Sequence, residues 1–131
     1  SNQAIILSPN NVTIWRNRFN LFVQLATLHA SYFEDTEATI KKLRELAPSD
    51  PKIVYNYAIL MVKLNKLDEG IKLLKEAVTL KENYKDARFA LGVVNAEVGN
   101  RKDAKAEFEY ILTTLSPNDP IVKRELGKLQ N

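Results

Sequence analysis

Residues 85–115 read KDARFALGVVNAEVGNRKDAKAEFEYILTTL. Ala87, Leu91, Val94 and Val98 recur with the 3.6-residue period of a buried helical stripe. Gly99-Asn100 interrupts it, and these two residue types tolerate the left-handed backbone of a helix end. A second stripe follows in Ala104, Phe108, Ile111 and Leu115. The stretch therefore reads as two amphipathic helices joined by a tight turn, each needing the other to cover its apolar face.

The preceding residues repeat this plan. Asp50-Pro51 supplies an N-cap and a proline at the first helical position, where its missing N–H costs nothing. Val54, Tyr57, Ala58, Met61 and Leu64 form one stripe, and Asn65-Lys66 breaks the helix. Asp68 and Glu69 open the partner helix at its positive end, with Gly70, Leu74, Ala77 and Leu80 inward. Upstream, Trp15, Phe19, Phe22 and Ala26 precede extra residues around 30–35, then Ile40, Leu43 and Leu46. Downstream, Asp119-Pro120 starts a last helix with Val122, Leu126 and Leu129 inward. Each unit closes on a leucine followed by a polar or proline turn. The leucines Leu7, Leu46, Leu80 and Leu115 stand 39, 34 and 35 residues apart. A period near 34 is the length of one helix-turn-helix repeat.

The expected fold is all-α, an α–α solenoid in one domain spanning 1–131. Three helix pairs occupy 12–50, 51–84 and 85–119, and a capping helix covers 120–130. Ala4, Ile5, Ile6 and Leu7 precede the same turn that ends the later units, so 3–7 reads as the remnant of an earlier second helix. Ser1-Asn2, with no initiator methionine, reads as the cut edge of a longer protein.

Composition removes several functions. A formal charge of +3, with acids and bases alternating throughout, lacks the concentrated basic face of a nucleic-acid binder. Cysteine is absent, which excludes thiol chemistry and zinc ribbons but does not choose a compartment. No apolar run approaches the roughly 18 residues of a membrane span, and no signal peptide is visible.

These residues resemble the tetratricopeptide repeat family. Leu91-Gly92 matches its first-helix pair, and Ala104 with Phe108 matches the Ala-x₃-Phe of the second helix. Trp15 and Phe22 keep its Trp-to-Tyr spacing, with Phe for Tyr. The second unit is looser, with Tyr57-Ala58 for Leu-Gly, Gly70 for Ala, Leu74 for Phe and Glu82 for Pro. Ala58, Gly70, Gly92 and Ala104 are small where helices must approach closely. A narrower resemblance, to soluble repeat tails of bacterial O-antigen ligase and polymerase-type membrane proteins, rests on 11–15, 83–91 and 107–112. It implies a place outside the cytoplasm, attached to a membrane-anchored parent.

The candidate sites are few. His29, the single histidine, has no nucleophile, partner histidine or phosphate loop to act with, and reads as structural or surface. Asp35, Glu37, Asp68, Glu69 and Asp103 fall at helix starts, where capping explains them. Lys41-Lys42-Arg44 and Arg101-Lys102-Lys105 alternate with Glu and read as solvated faces with i,i+4 pairing. The first helices carry a second apolar set, Tyr55, Ile59 and Val62 in one and Phe89, Val93 and Ala96 in the next. The family resemblance implies that this set, with Lys63, lines a concave groove. The alternative is that it packs against neighbouring turns. Some members of the family hold a terminal carboxylate there, and Arg16, Asn20 and Asn56 stand at matching positions. Asp86 and Ala90 replace two expected basic residues, which argues against a complete two-carboxylate clamp and leaves Arg16, Asn20 and Asn56 able to bind one acidic group.

The residues call for no cofactor or metal and no catalysis. The expected function is a protein-interaction module holding a peptide or protein segment in the groove, without nucleic acid and without inserting in a membrane. The alternative is a spacer or self-association element of a larger membrane-bound polysaccharide ligase or polymerase.

Overall fold

A computed structural model of the chain describes residues 11–26 and 32–130. Seven α-helices lie among them: α1 (Val12–Ala26), α2 (Tyr32–Leu46), α3 (Pro51–Lys63), α4 (Leu67–Leu80), α5 (Lys85–Glu97), α6 (Arg101–Tyr110) and α7 (Pro120–Leu129). A π-helical turn, Ile111–Leu115, continues α6, and no strand occurs among the described residues. The proposed helix remnant at 3–7, the inserted residues around 30–35 as far as Ser31, and His29 lie outside this range. Two compact units divide the chain, Ser1–Tyr57 and Ala58–Asn131, with the boundary inside α3.

In the first unit α1 and α2 pack together. Phe19, Ile40, Leu43, Ile53 and Val54 are buried there, as are Thr36 and Thr39. Thr39 is affordable inside because its hydroxyl donates back to the Asp35 carbonyl at 2.8 Å. Asp50 caps α3 by accepting the Lys52 amide at 3.0 Å, the role its place before Pro51 demands.

In the second unit α4 packs on α5, α5 on α6 and α6 on α7. Gly92 lies under the Phe108 ring, where an added Cβ would sit 2.5 Å from its Cε1 atom. Ala104, one turn before Phe108, is fully buried. At Gly70 the same added atom would meet the Val62 Cγ2 methyl at 2.7 Å. Both glycines are thus required by close helix approach, not by backbone conformation. Arg88 braces α5 against α6: its Nε donates to the Glu82 carbonyl at 3.0 Å and an Nη atom to Glu107 at 3.1 Å, while the guanidinium covers the Tyr110 ring.

The turns within pairs share one geometry. Asn65 is left-handed at φ 60° and Gly99 at φ 88°. Around Asn65 the Lys66 amide returns to the Met61 carbonyl at 2.8 Å, and around Gly99 the Asn100 amide returns to Asn95 at 2.8 Å. Both are Schellman closures, 34 positions apart. The buried Asn95 also accepts from the Asn100 side chain at 3.2 Å, which fixes the second turn further.

The turns between pairs repeat too, with one departure. Ala47 donates four residues back to Leu43, and Lys81 four back to Ala77, whereas Ser116 donates five back to Ile111. The leucine interval of 35 instead of 34 thus has a physical form: the extra residue is absorbed as a π turn. Two expected inward residues face out. Leu80 is 40% exposed as the last residue of α4, and Val98, 38% exposed, lies just past α5, where the chain turns away.

α7 starts at Asp119, whose carboxylate accepts from the Ile121 and Val122 amides at 2.9 and 3.2 Å. Lys85 pairs with the other oxygen. The Lys85 hydrogen bond first, and the two backbone donors with it, hold this carboxyl below its ordinary value of 3.8. Val122, Ile111, Phe108 and Ala104 then close a core cluster that Phe89, Val93, Ala96, Leu126 and Leu129 pack against.

Gly92→Ala should lower stability by about 1 kcal/mol net, overpacking of about 1–3 kcal/mol outweighing the roughly 1 kcal/mol gained by removing a helical glycine. Gly127→Ala, where the added Cβ meets nothing, should instead raise stability by about 0.5–1 kcal/mol. Urea midpoints of the two variants should move in opposite directions. For Asp119 the folded pKa is depressed, so its contribution is present above pH 3.8 and lost as pH falls through the folded value. Asp119→Asn should therefore be less stable than wild type at neutral pH, and melting curves taken downward from there should show the gap closing in acid.

Candidate functional site

Arg16 and Asn20 stand four residues apart on α1 and share one face, with Phe19 beside them turned into the core. Lys52 and Asn56 have the same relation on α3, with Ile53 inward between them. Ile40 and Leu43 project from α2. These eight residues line one cleft of roughly 70 Å³, entirely within the first unit. One water needs about 10–15 Å³ of such space, so the cleft has room for a carboxylate group with a few waters. Its floor is apolar (Phe19, Ile40, Leu43, Ile53) and its rim holds two cations and two amides. Among the described residues, no hydrogen bond or ion pair engages the side chains of Asn20, Lys52 or Asn56. Arg16 is partly engaged, with its Nη2 atom 3.7 Å from an Asp50 oxygen and its side chain 47% exposed.

That arrangement suits an anionic group with an apolar neighbour. Guanidinium and ammonium supply charge, the two amides supply further N–H donors, and the floor excludes water from one side. The described residues that line it include no general base, nucleophile or metal-ligand set. Among the described residues no group of three or more His, Asp or Glu side chains could hold a metal.

The cleft gathers Arg16, Asn20 and Asn56 from the residues singled out in the sequence, and adds Lys52. The signal for Lys52 was its place one residue after Pro51, equivalent to Asp86 in the next unit. The apolar candidates are distributed differently. Tyr55 and Ile59 are half-buried on α3, and Lys63 is exposed in its last turn. Val62 leans on α4 at Gly70. Phe89 and Val93 are half-buried against the terminal core cluster, the Phe89 ring centred 5.8 Å from that of Phe108. Packing thus accounts for Val62, Phe89 and Val93 without a ligand.

The basic clusters are largely paired along their own helices, Lys41 with Glu37 at 3.4 Å, Lys42 with Glu45 at 3.9 Å and Lys105 with Glu109 at 3.7 Å. Asp68, Glu69 and Asp103 lie in the first turns of α4 and α6, where the helix dipole accounts for them. No helix among the described residues is long and apolar enough to cross a membrane.

No family model matches the chain, and no curated protein sequence matches it. Solved structures are similar over most of its length. MamA superposes with a TM-score of 0.86 at 19% identity, over 98% of this chain and 71% of that one. The first TPR of Spaghetti (RPAP3), bound to the HSP90 peptide SRMEEVD, gives 0.79 at 20% identity over 91% and 90%. The second TPR domain of human RPAP3, in complex with the HSP70 peptide SGPTIEEVD, gives 0.75 at 22% identity over 89% and 92%. At these identities the likeness establishes the fold alone: the chain has the all-α tetratricopeptide fold, a helical repeat of the α–α solenoid class.

Proposed function

We propose that the chain is a non-catalytic module that binds a protein or peptide segment, with the cleft of the first unit receiving a carboxylate of that segment. The observation that carries this is the convergence of Arg16, Asn20, Lys52 and Asn56 over an apolar floor. Two structures of the same fold are complexes with short peptides, which supports a peptide segment as the ligand. Tyr55, Ile59, Val62 and Lys63 recur at i, i+4, i+7 and i+8 of α3, and that helix face would offer a partner a further surface. In the second unit, taken by itself, Phe89 and Val93 would offer a partner the edges that core packing leaves accessible. The likeness to tails of O-antigen ligases finds no support in the comparisons.

Amide NMR titration with acetyl-Gly-Gly-Leu, as the free acid and as the C-terminal amide, tests the reading. The free acid should shift resonances of α1 and of the start of α3, and the amide should bind about tenfold more weakly, as loss of a charge-assisted contact implies. Arg16→Ala with Lys52→Ala should weaken the acid by a similar factor while leaving helix content unchanged, since both side chains are exposed. Equal affinity for acid and amide would remove the carboxylate reading and leave a spacer role standing.

A further inference from the structure

Asp50 uses its two oxygens differently. One accepts the Lys52 amide and caps α3. The other faces the Arg16 guanidinium across 3.7 Å, with its own side chain 33% exposed. The second contact is long for a charge-assisted bond and open to solvent. It nevertheless places a fixed negative charge beside one of the two cations that rim the cleft. Arg16 and Lys52 together carry two positive charges, and Asp50 cancels one. The remaining charge balances one carboxylate, and a second would face Asp50 without a cation of its own. The apolar floor of Phe19, Ile40, Leu43 and Ile53 favours the same outcome, because a second ionised group set against it would lose hydration with no partner.

We infer that Asp50 sets the ligand charge of the cleft, so that it selects a chain end with one free carboxylate and an apolar terminal side chain over one ending in an acidic residue. The inference rests on the carboxylate reading above and specifies its ligand. Asp50 does not line the cleft and acts through Arg16, which makes it a positioning residue whose effect is electrostatic. Its capping role is separable: asparagine offers the same acceptor to the Lys52 amide while removing the charge.

The test compares acetyl-Gly-Gly-Leu with acetyl-Gly-Gly-Asp, both as free acids, against the full chain and its Asp50→Asn variant by amide NMR titration in low-salt buffer. Wild type should bind the Asp-ended peptide no more tightly than the Leu-ended one. Asp50→Asn should improve the Leu-ended peptide about threefold and the Asp-ended peptide about tenfold, as removal of one exposed charge near one or two ligand carboxylates implies. The preference would then shift toward the acidic end. A wild-type chain that binds the Asp-ended peptide several-fold more tightly overturns the inference, as does an Asp50→Asn variant that leaves the ratio unchanged. Either result leaves the carboxylate reading intact if the amidated peptide still binds weakly. If the amide binds wild type as well as the acid does, the carboxylate reading fails, and this inference with it.

Discussion

The close approach of paired helices governs this structure. Gly92 is the clearest instance: the Phe108 ring rests where any side chain at 92 would begin. That contact lets α5 and α6 lie near enough for Phe108 and Ala104 to be fully sealed, and the sealed pair offers the surface on which Val122 of α7 is buried. Gly70 serves α3 and α4 in the same way through Val62. A helical repeat depends on such neighbour contacts, since each helix pair is stabilised chiefly by those beside it.

Much of this was legible because close approach restricts residue type. Small residues at 70, 92 and 104, set in register with apolar stripes, identify which helix faces meet. The turns were legible for a related reason: Asn65 and Gly99 occupy the left-handed position that few other residues tolerate. The Asp-Pro pairs at 50 and 119 mark helix starts because both residues act at the backbone, independently of distant contacts. The π turn was also written in the sequence, as one surplus residue in the third leucine interval. Counting reveals the surplus but not its location, which depends on Ile111 staying in the core while Ser116 still reaches its carbonyl. Leu80 and Val98 show where periodicity fails, since a stripe continues in sequence after the helix that justifies it has ended.

The cleft was only half legible. Arg16, Asn20 and Asn56 were found by their positions in the repeat. Lys52 is not evident from the sequence, because the repeat pattern places further cations in the third unit, where Asp86 and Ala90 stand. Ile53 escaped as floor because α3 buries two adjacent residues, Ile53 and Val54, in the same turn. A single-stripe reading selects only one of them. The apolar set at Val62, Phe89 and Val93 illustrates the converse problem. A second hydrophobic face is equally what a groove requires and what a helix with neighbours on two sides requires, and sequence periodicity does not separate the two.

Asp50 and Asp119 show how one local motif acquires two different roles. Both precede proline, both cap the helix that follows, and both place a second oxygen near a cation of the preceding first helix. At Asp119 the partner is Lys85, the carboxylate is only 14% exposed, and two backbone amides share the charge, so the group is committed to holding α7. At Asp50 one amide is capped, the partner Arg16 stands farther off and half in solvent, and the guanidinium also borders the cleft. Capping is satisfied by either geometry. What remains of the charge after capping differs, and it is directed into the fold at one end and toward an open cleft at the other.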